Sequence, residues 1–144
     1  IAYVNRSLAR HYQHRGDFVT AIYGVYNPTE RQFCYSSAGH NPPVFTQAGS
    51  AETRPLQKQC GIPLGILEEA RFESTDVALH EGDTLLLFTD GITEAMDREK
   101  NLFGDQRMAP AEAQVANLLQ EVRQFVGDEP LNDDRTVVLL RGVG

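Results

Sequence analysis

The sequence predicts a layered α/β (α+β) fold with mostly antiparallel β-sheets. Three observations carry this: short apolar runs of strand length bounded by Gly, Pro, Asn and Asp, helical periodicity at the start and again near the end, and a loop-rich middle. Strands apolar on both faces need a cover on each side, and the terminal helices are available as that cover.

Ile1, Val4, Leu8 and His11 or Tyr12 recur at helical spacing, so the first dozen residues read as an amphipathic helix that ends before Gly16-Asp17. FVTAIYGVY (18–26) reads as a deeply buried strand, NPTE (27–30) as a turn, and RQFCYSSA (31–38) as its hairpin partner. AGHNPPVF (38–45) turns into a short strand ending near Thr46; QAGSAETRP (47–55) and CGIPLGI (60–66) read as loops. RFESTDVAL (71–79) is polar enough for an edge strand, and HEGD (80–83) turns it into TLLLFT (84–89), which reads as central. Val115, Leu118, Leu119, Val122, Phe125 and Val126 share one helical face, and Pro110 suits a helix start, so a helix is expected over about 110–126. GDEPLNDD (127–134) is an acidic loop, and RTVVLL (135–140) reads as the last buried strand.

The 144 residues suit one domain, 1–144. Thirteen basic against twenty acidic side chains give a net charge of −7 with no basic run, so neither nucleic acid nor an anionic membrane is an expected partner. Cys34 and Cys60 have no metal-ligand spacing, which leaves reduced thiols and a cytoplasmic location as the expectation. No apolar run approaches the ~18 residues of a membrane span. The first residue is Ile1, already inside a helical pattern, which suggests a chain that starts partway through a larger protein.

The chemistry-bearing feature is a pair of strand ends. One apolar strand runs into Asp90-Gly91, and Asn132-Asp133-Asp134 runs into another. If the two strands are antiparallel neighbours, the carboxylates of Asp90 and Asp133 meet at one sheet edge. Oxygen-only donors of this kind suit Mg²⁺ or Mn²⁺, whereas two ordinary Asp turns would explain the same residues without any ion.

FVTAIYGVYNPTERQFCYSSAGHNPP, GIPLGI, EGDTLLLFTDGITEA, LFG and DDRTVVLL occur in an order and spacing that resembles the bacterial metal-dependent type 2C (PPM) serine/threonine phosphatases, in the branch that includes SpoIIE and RsbU. The resemblance spans about residues 1–141. It implies a sandwich of two antiparallel sheets flanked by helices, with a two-metal Mn²⁺ or Mg²⁺ centre hydrolysing phosphoserine or phosphothreonine. It also implies a phosphoprotein substrate of the anti-sigma-factor antagonist type, a role in sigma-factor or stress signalling, and an upstream sensor or regulatory domain. Carried over by position, Asp90 and Asp133 are the implied catalytic metal ligands, with Asp134 a further candidate that orients its partner or the loop, and Gly91 lets the backbone turn beside the ion.

The family's upstream G-D-V-x-G-H-G motif, with its metal-bridging Asp, does not occur in 1–144. The expectation is the C-terminal portion of a phosphatase domain, lacking its N-terminal strands, inactive alone and prone to self-association through exposed edges. A non-catalytic binding module, or a regulatory element acting through the first helix, is the alternative.

Other candidates have competing explanations. His40 suits acid/base chemistry or a turn hydrogen bond. Glu94 suits the outer metal shell or the first turn of a helix. His11 and His14 suit a solvated helix face, Asp17 and Asp83 suit turns, and no phosphate-gripping arginine stands out.

Overall fold

The computed structural model describes residues 1–12, 16–50, 52–56, 60–108, 115–130 and 132–143. They fall into two compact units, one formed by 1–42 with 57–79, the other by 43–56 with 80–144.

The first unit holds α1 (Ala2–Tyr12), β1 (Ala21–Asn27), β2 (Gln32–Ala38), β5 (Cys60–Gly61) and β6 (Thr75–Ala78); the second holds β3 (Val44–Thr46), β4 (Thr53–Pro55), β7 (Thr84–Phe88), α2 (Asp90–Thr93), α3 (Val115–Val126) and β8 (Val137–Arg141). A 3-10 turn covers Asp105–Arg107.

In the first unit β1 and β2 form the expected hairpin, in register from Ala21↔Ala38 to Asn27↔Gln32. The Asn27 side-chain oxygen accepts from the backbone N–H groups of Thr29 and Glu30, which shapes the turn. On its other side β2 pairs antiparallel with β6 and, at Ser37 and Ala38, parallel with β5. The expected burial is reversed here. β1 is the exposed strand, with Tyr23 and Val25 more than half accessible, and β2 is the buried one. Among the described residues β1 has one strand neighbour and is exposed on both faces from Tyr23 to Asn27, whereas β2 lies inside the sheet with three.

The buried side of α1 also departs from the apolar stripe. Asn5 and Ala9 are buried while Val4 is exposed. The Asn5 amide donates to the carbonyl oxygens of Leu67 (2.9 Å) and Glu68 (3.1 Å) and accepts from the Gly65 N–H (3.0 Å), so a satisfied polar group holds the centre of the contact.

The second unit is built on an antiparallel sheet of order β4-β3-β7-β8, so TLLLFT is central as expected. β4 lies within the stretch expected to be a loop, paired from Val44↔Pro55 to Thr46↔Thr53. β8 is a half-buried edge strand rather than a fully buried one, because β7 is its one strand neighbour among the described residues and Val138 stays open. The core gathers Phe88, Ile92, Ala95, Phe103, Met108, Leu118, Val122 and Val126, with Val44, Leu86 and Val137 packed against it. The α3 face is the one its spacing predicts; the proposed start at Pro110 lies outside the described residues.

Candidate functional site

β7 and β8 pair antiparallel from Thr84↔Arg141 to Phe88↔Val137, so the end of β7 stands beside the start of β8. The sequence condition for bringing Asp90 and Asp133 together is therefore met. The ladder runs one step further, with the Thr89 N–H donating to the Thr136 carbonyl oxygen at 3.0 Å. The chain then leaves the sheet for α2, where the Ile92 N–H donates to the Thr89 carbonyl oxygen and the N–H of Glu94, just past the helix, donates to that of Asp90. Ile92 is fully buried and anchors the turn, worth roughly 1.5–3 kcal/mol for a side chain of this size, while Asp90 stays exposed.

Gly91 is where the two segments come closest. A β-carbon there would overlap the Asp134 carbonyl oxygen and would lie 3.3 Å from the Asp133 β-carbon. The Arg135 Nε donates to the Gly91 carbonyl oxygen at 3.1 Å, and the Thr89 hydroxyl donates to the Asp134 carbonyl oxygen at 3.1 Å. Each aspartate also accepts from the next backbone N–H, Gly91 to Asp90 Oδ1 at 3.0 Å and Asp134 to Asp133 Oδ1 at 2.7 Å. A residue with no side chain follows Asp90 because the Asp133-Asp134 loop occupies that space.

Asp90, Asp133 and Asp134 are exposed, and among the described residues none of them forms an ion pair. Nor do the described residues gather three or more His, Cys, Asp or Glu side chains closely enough to hold a metal ion. The donor set is all oxygen, from carboxylates and the backbone carbonyls around Gly91, which fits part of the shell of a hard divalent cation.

Glu94 lies beyond the last residue of the one-turn α2, so the first-turn explanation does not hold; Asp90 is the first-turn acid. His40 belongs to the first unit, where its Nδ1 hydrogen-bonds the Thr20 hydroxyl at 3.1 Å. His11 bonds the Ser7 carbonyl, and His14 lies outside the described residues. Asp83 is a turn residue and more: it is buried, and its carboxylate accepts from the N–H groups of Ala48 (2.8 Å) and His80 (2.9 Å). Arg135 and the Thr89 hydroxyl are the participants that sequence reasoning missed; the visible signal was their position beside the two Asp motifs. Among the described residues no helix is long and apolar enough to cross a membrane.

The profile of the SpoIIE family, described as Stage II sporulation protein E, matches residues 1–142. The phosphoserine phosphatase RsbU of Bacillus subtilis (strain 168) is 30% identical over 132 residues, an alignment that covers 86% of this chain and 39% of that protein. Among solved structures, the phosphatase domain of the cell fate determinant SpoIIE from Bacillus subtilis superposes with a TM-score of 0.65 at 19% identity, covering 97% of this chain and 65% of that one. The SiaA-PP2C domain of Pseudomonas aeruginosa gives a TM-score of 0.70 at 18% identity, with 96% and 68% covered. At these identities the structural likeness establishes a PP2C-type fold, and the chain spans about two fifths of the RsbU length.

Proposed function

The chain belongs to the SpoIIE family, and from that premise we propose that it forms part of a divalent-cation-dependent phosphatase acting on phosphoserine or phosphothreonine in proteins. The observation that supports this best is the β7–β8 register, which brings Asp90 beside the Asp133-Asp134 loop at one exposed strand end.

In this reading Asp90 and Asp133 hold Mn²⁺ or Mg²⁺, and Asp134 serves mainly through its backbone carbonyl, which accepts from Thr89 across the gap. The cation, when bound, supplies acidification of a water and neutralisation of charge on the phosphoryl group. The protein's part is to keep two like charges together at a wet edge and to hold the loop against Gly91. Glu94 is a secondary candidate for contacts to solvent or substrate around that edge.

Two or three carboxylates are fewer ligands than a two-metal centre needs, so the 144 residues alone are expected to be inactive. A substrate of the anti-sigma-factor antagonist type and control by a sensor domain belong to the same proposal, as does a cytoplasmic location. Self-association through the exposed β1 edge is part of it too.

The test is Mn²⁺-dependent phosphate release from a phosphoserine peptide by the full-length protein and its Asp90→Asn variant. Activity that requires Mn²⁺ and disappears in the variant supports the proposal. No turnover by the full-length protein across metals and phosphopeptides would favour the binding-module alternative, which the lack of a three-ligand cluster among the described residues also fits.

A further inference from the structure

Thr89 occupies the N-cap position of α2, yet its side chain makes no capping bond to that helix. A threonine at an N-cap ordinarily accepts from an N–H two or three residues on. Here the hydroxyl turns to the other strand. It accepts from the Thr136 N–H at 2.9 Å and donates to the Asp134 carbonyl oxygen at 3.1 Å. A hydroxyl has one proton to give and lone pairs to receive with, and Thr89 uses both capacities on the segment that follows Asp133. Arg135 makes the reverse tie, its Nε donating to the Gly91 carbonyl oxygen at 3.1 Å. One tie starts immediately before Asp90 and the other ends immediately after it.

The location gives these ties their importance. Paired strand residues end at Phe88↔Val137, and the twist of a two-stranded ribbon tends to splay what lies beyond. Asp90 and Asp133 carry like charges there, and their repulsion pushes the same way. With no ion pair on either carboxylate among the described residues, hydrogen bonds oppose that separation.

We propose that Thr89 is the positioning residue of the carboxylate pair: its hydroxyl sets the spacing between Asp90 and Asp133, and through it the affinity for a divalent cation. The inference rests on the metal-binding reading above. Thr89 touches neither substrate nor cation in this role; it acts through the backbone of Asp134 and Thr136. Valine at this position keeps the branched shape and leaves the Thr136 N–H and the Asp134 carbonyl to water, whereas serine keeps the hydroxyl.

Calorimetric Mn²⁺ titration of the full-length protein, with melting in EDTA as the control for folding, separates the cases. Thr89→Val is expected to bind Mn²⁺ roughly ten- to a hundredfold more weakly, the usual loss when a group supporting a ligand is removed, and Thr89→Ser to bind nearly as wild type. Melting temperatures in EDTA should agree within about 3 °C. Unchanged affinity in Thr89→Val, in a protein where Asp90→Asn abolishes binding, overturns the proposal and leaves the metal site standing. If Asp90→Asn binds Mn²⁺ as wild type does, the metal reading falls and takes the proposal with it. A loss in Thr89→Val that serine does not rescue and that follows a drop in the EDTA melting temperature also overturns it, since packing then explains the effect.

Discussion

The carbonyl oxygen of Asp134 occupies the space that a β-carbon on Gly91 would need. Both partners are backbone, and the Asp133 β-carbon is the next neighbour that would have to give way. Gly91→Ala should therefore destabilise the second unit by about 1–3 kcal/mol, the common cost of overfilling a tight contact, and also lower Mn²⁺ affinity. Urea unfolding with and without Mn²⁺ measures both. A variant with wild-type stability would show that the loop shifts freely.

Asp133 and Asp134 are distinguished by which part of each faces Gly91. Asp133 brings its β-carbon there, and Asp134 brings its carbonyl. Asp133→Asn is accordingly expected to cost Mn²⁺ affinity at least tenfold more than Asp134→Asn, about 1.4 kcal/mol or more in binding free energy. Calorimetry of the two variants decides the matter, and a larger loss in Asp134→Asn would exchange their roles.

Asp83 is buried and satisfies two backbone donors, those of Ala48 and His80. Removing its carboxylate leaves both N–H groups unpaired, at about 1–3 kcal/mol each before relaxation. Asp83→Ala should lower the melting temperature by several degrees without changing Mn²⁺ affinity. If affinity changed as well, the β6–β7 turn would be coupled to the carboxylate pair.

Asn5 holds α1 to the 65–68 segment through three hydrogen bonds from a fully buried side chain. Asn5→Ala should cost about 2–4 kcal/mol in chemical denaturation. Asn5→Asp should cost more at neutral pH, because a buried carboxylate would face the Leu67 and Glu68 carbonyl oxygens. Equal stability of Asn5→Asp and wild type would show that water reaches this contact.

Asp97 gives a pH-dependent signal. The Asn101 side-chain amide, helped by the backbone N–H groups of Asn101 and Glu99, holds its carboxyl below the ordinary value of 3.8. A depressed folded-state value means that the ionised form is favoured by folding. Its stabilising effect is present above about pH 4 and is lost as the pH falls through the folded-state value. NMR titration should find the Asp97 carboxyl below 3.8 in the wild type and raised in Asn101→Ala. An unchanged value in that variant would assign the effect to the backbone donors.

Several features were legible from side-chain pattern alone. TLLLFT is apolar on both faces and lies centrally in its sheet, and the α3 face follows its periodicity. Others were not, because periodicity shows which positions can be buried and leaves open what lies opposite them. FVTAIYGVY is as apolar as any run in the chain, yet β1 has a single strand neighbour among the described residues and stays open. Val4 fits the helical stripe, but Asn5 takes the buried position because its partners lie sixty or more residues away. Glu94 depended on where α2 ends, and a one-turn helix leaves no periodic trace.

By itself the sequence determined that two apolar strands would each carry aspartate at one end, and that a glycine would follow the first. Motif order also carried the resemblance to the SpoIIE branch, because motif order survives in the chain whatever its conformation. Only the tertiary structure decided that β7 and β8 are neighbours, and in which register; a slip of one residue would turn their side chains to the opposite faces. The same register put the Asp134 carbonyl against Gly91 and gave the Thr89 hydroxyl its partners across the gap. Those contacts join residues more than forty positions apart, and distances of that kind exist only once the sheet has formed.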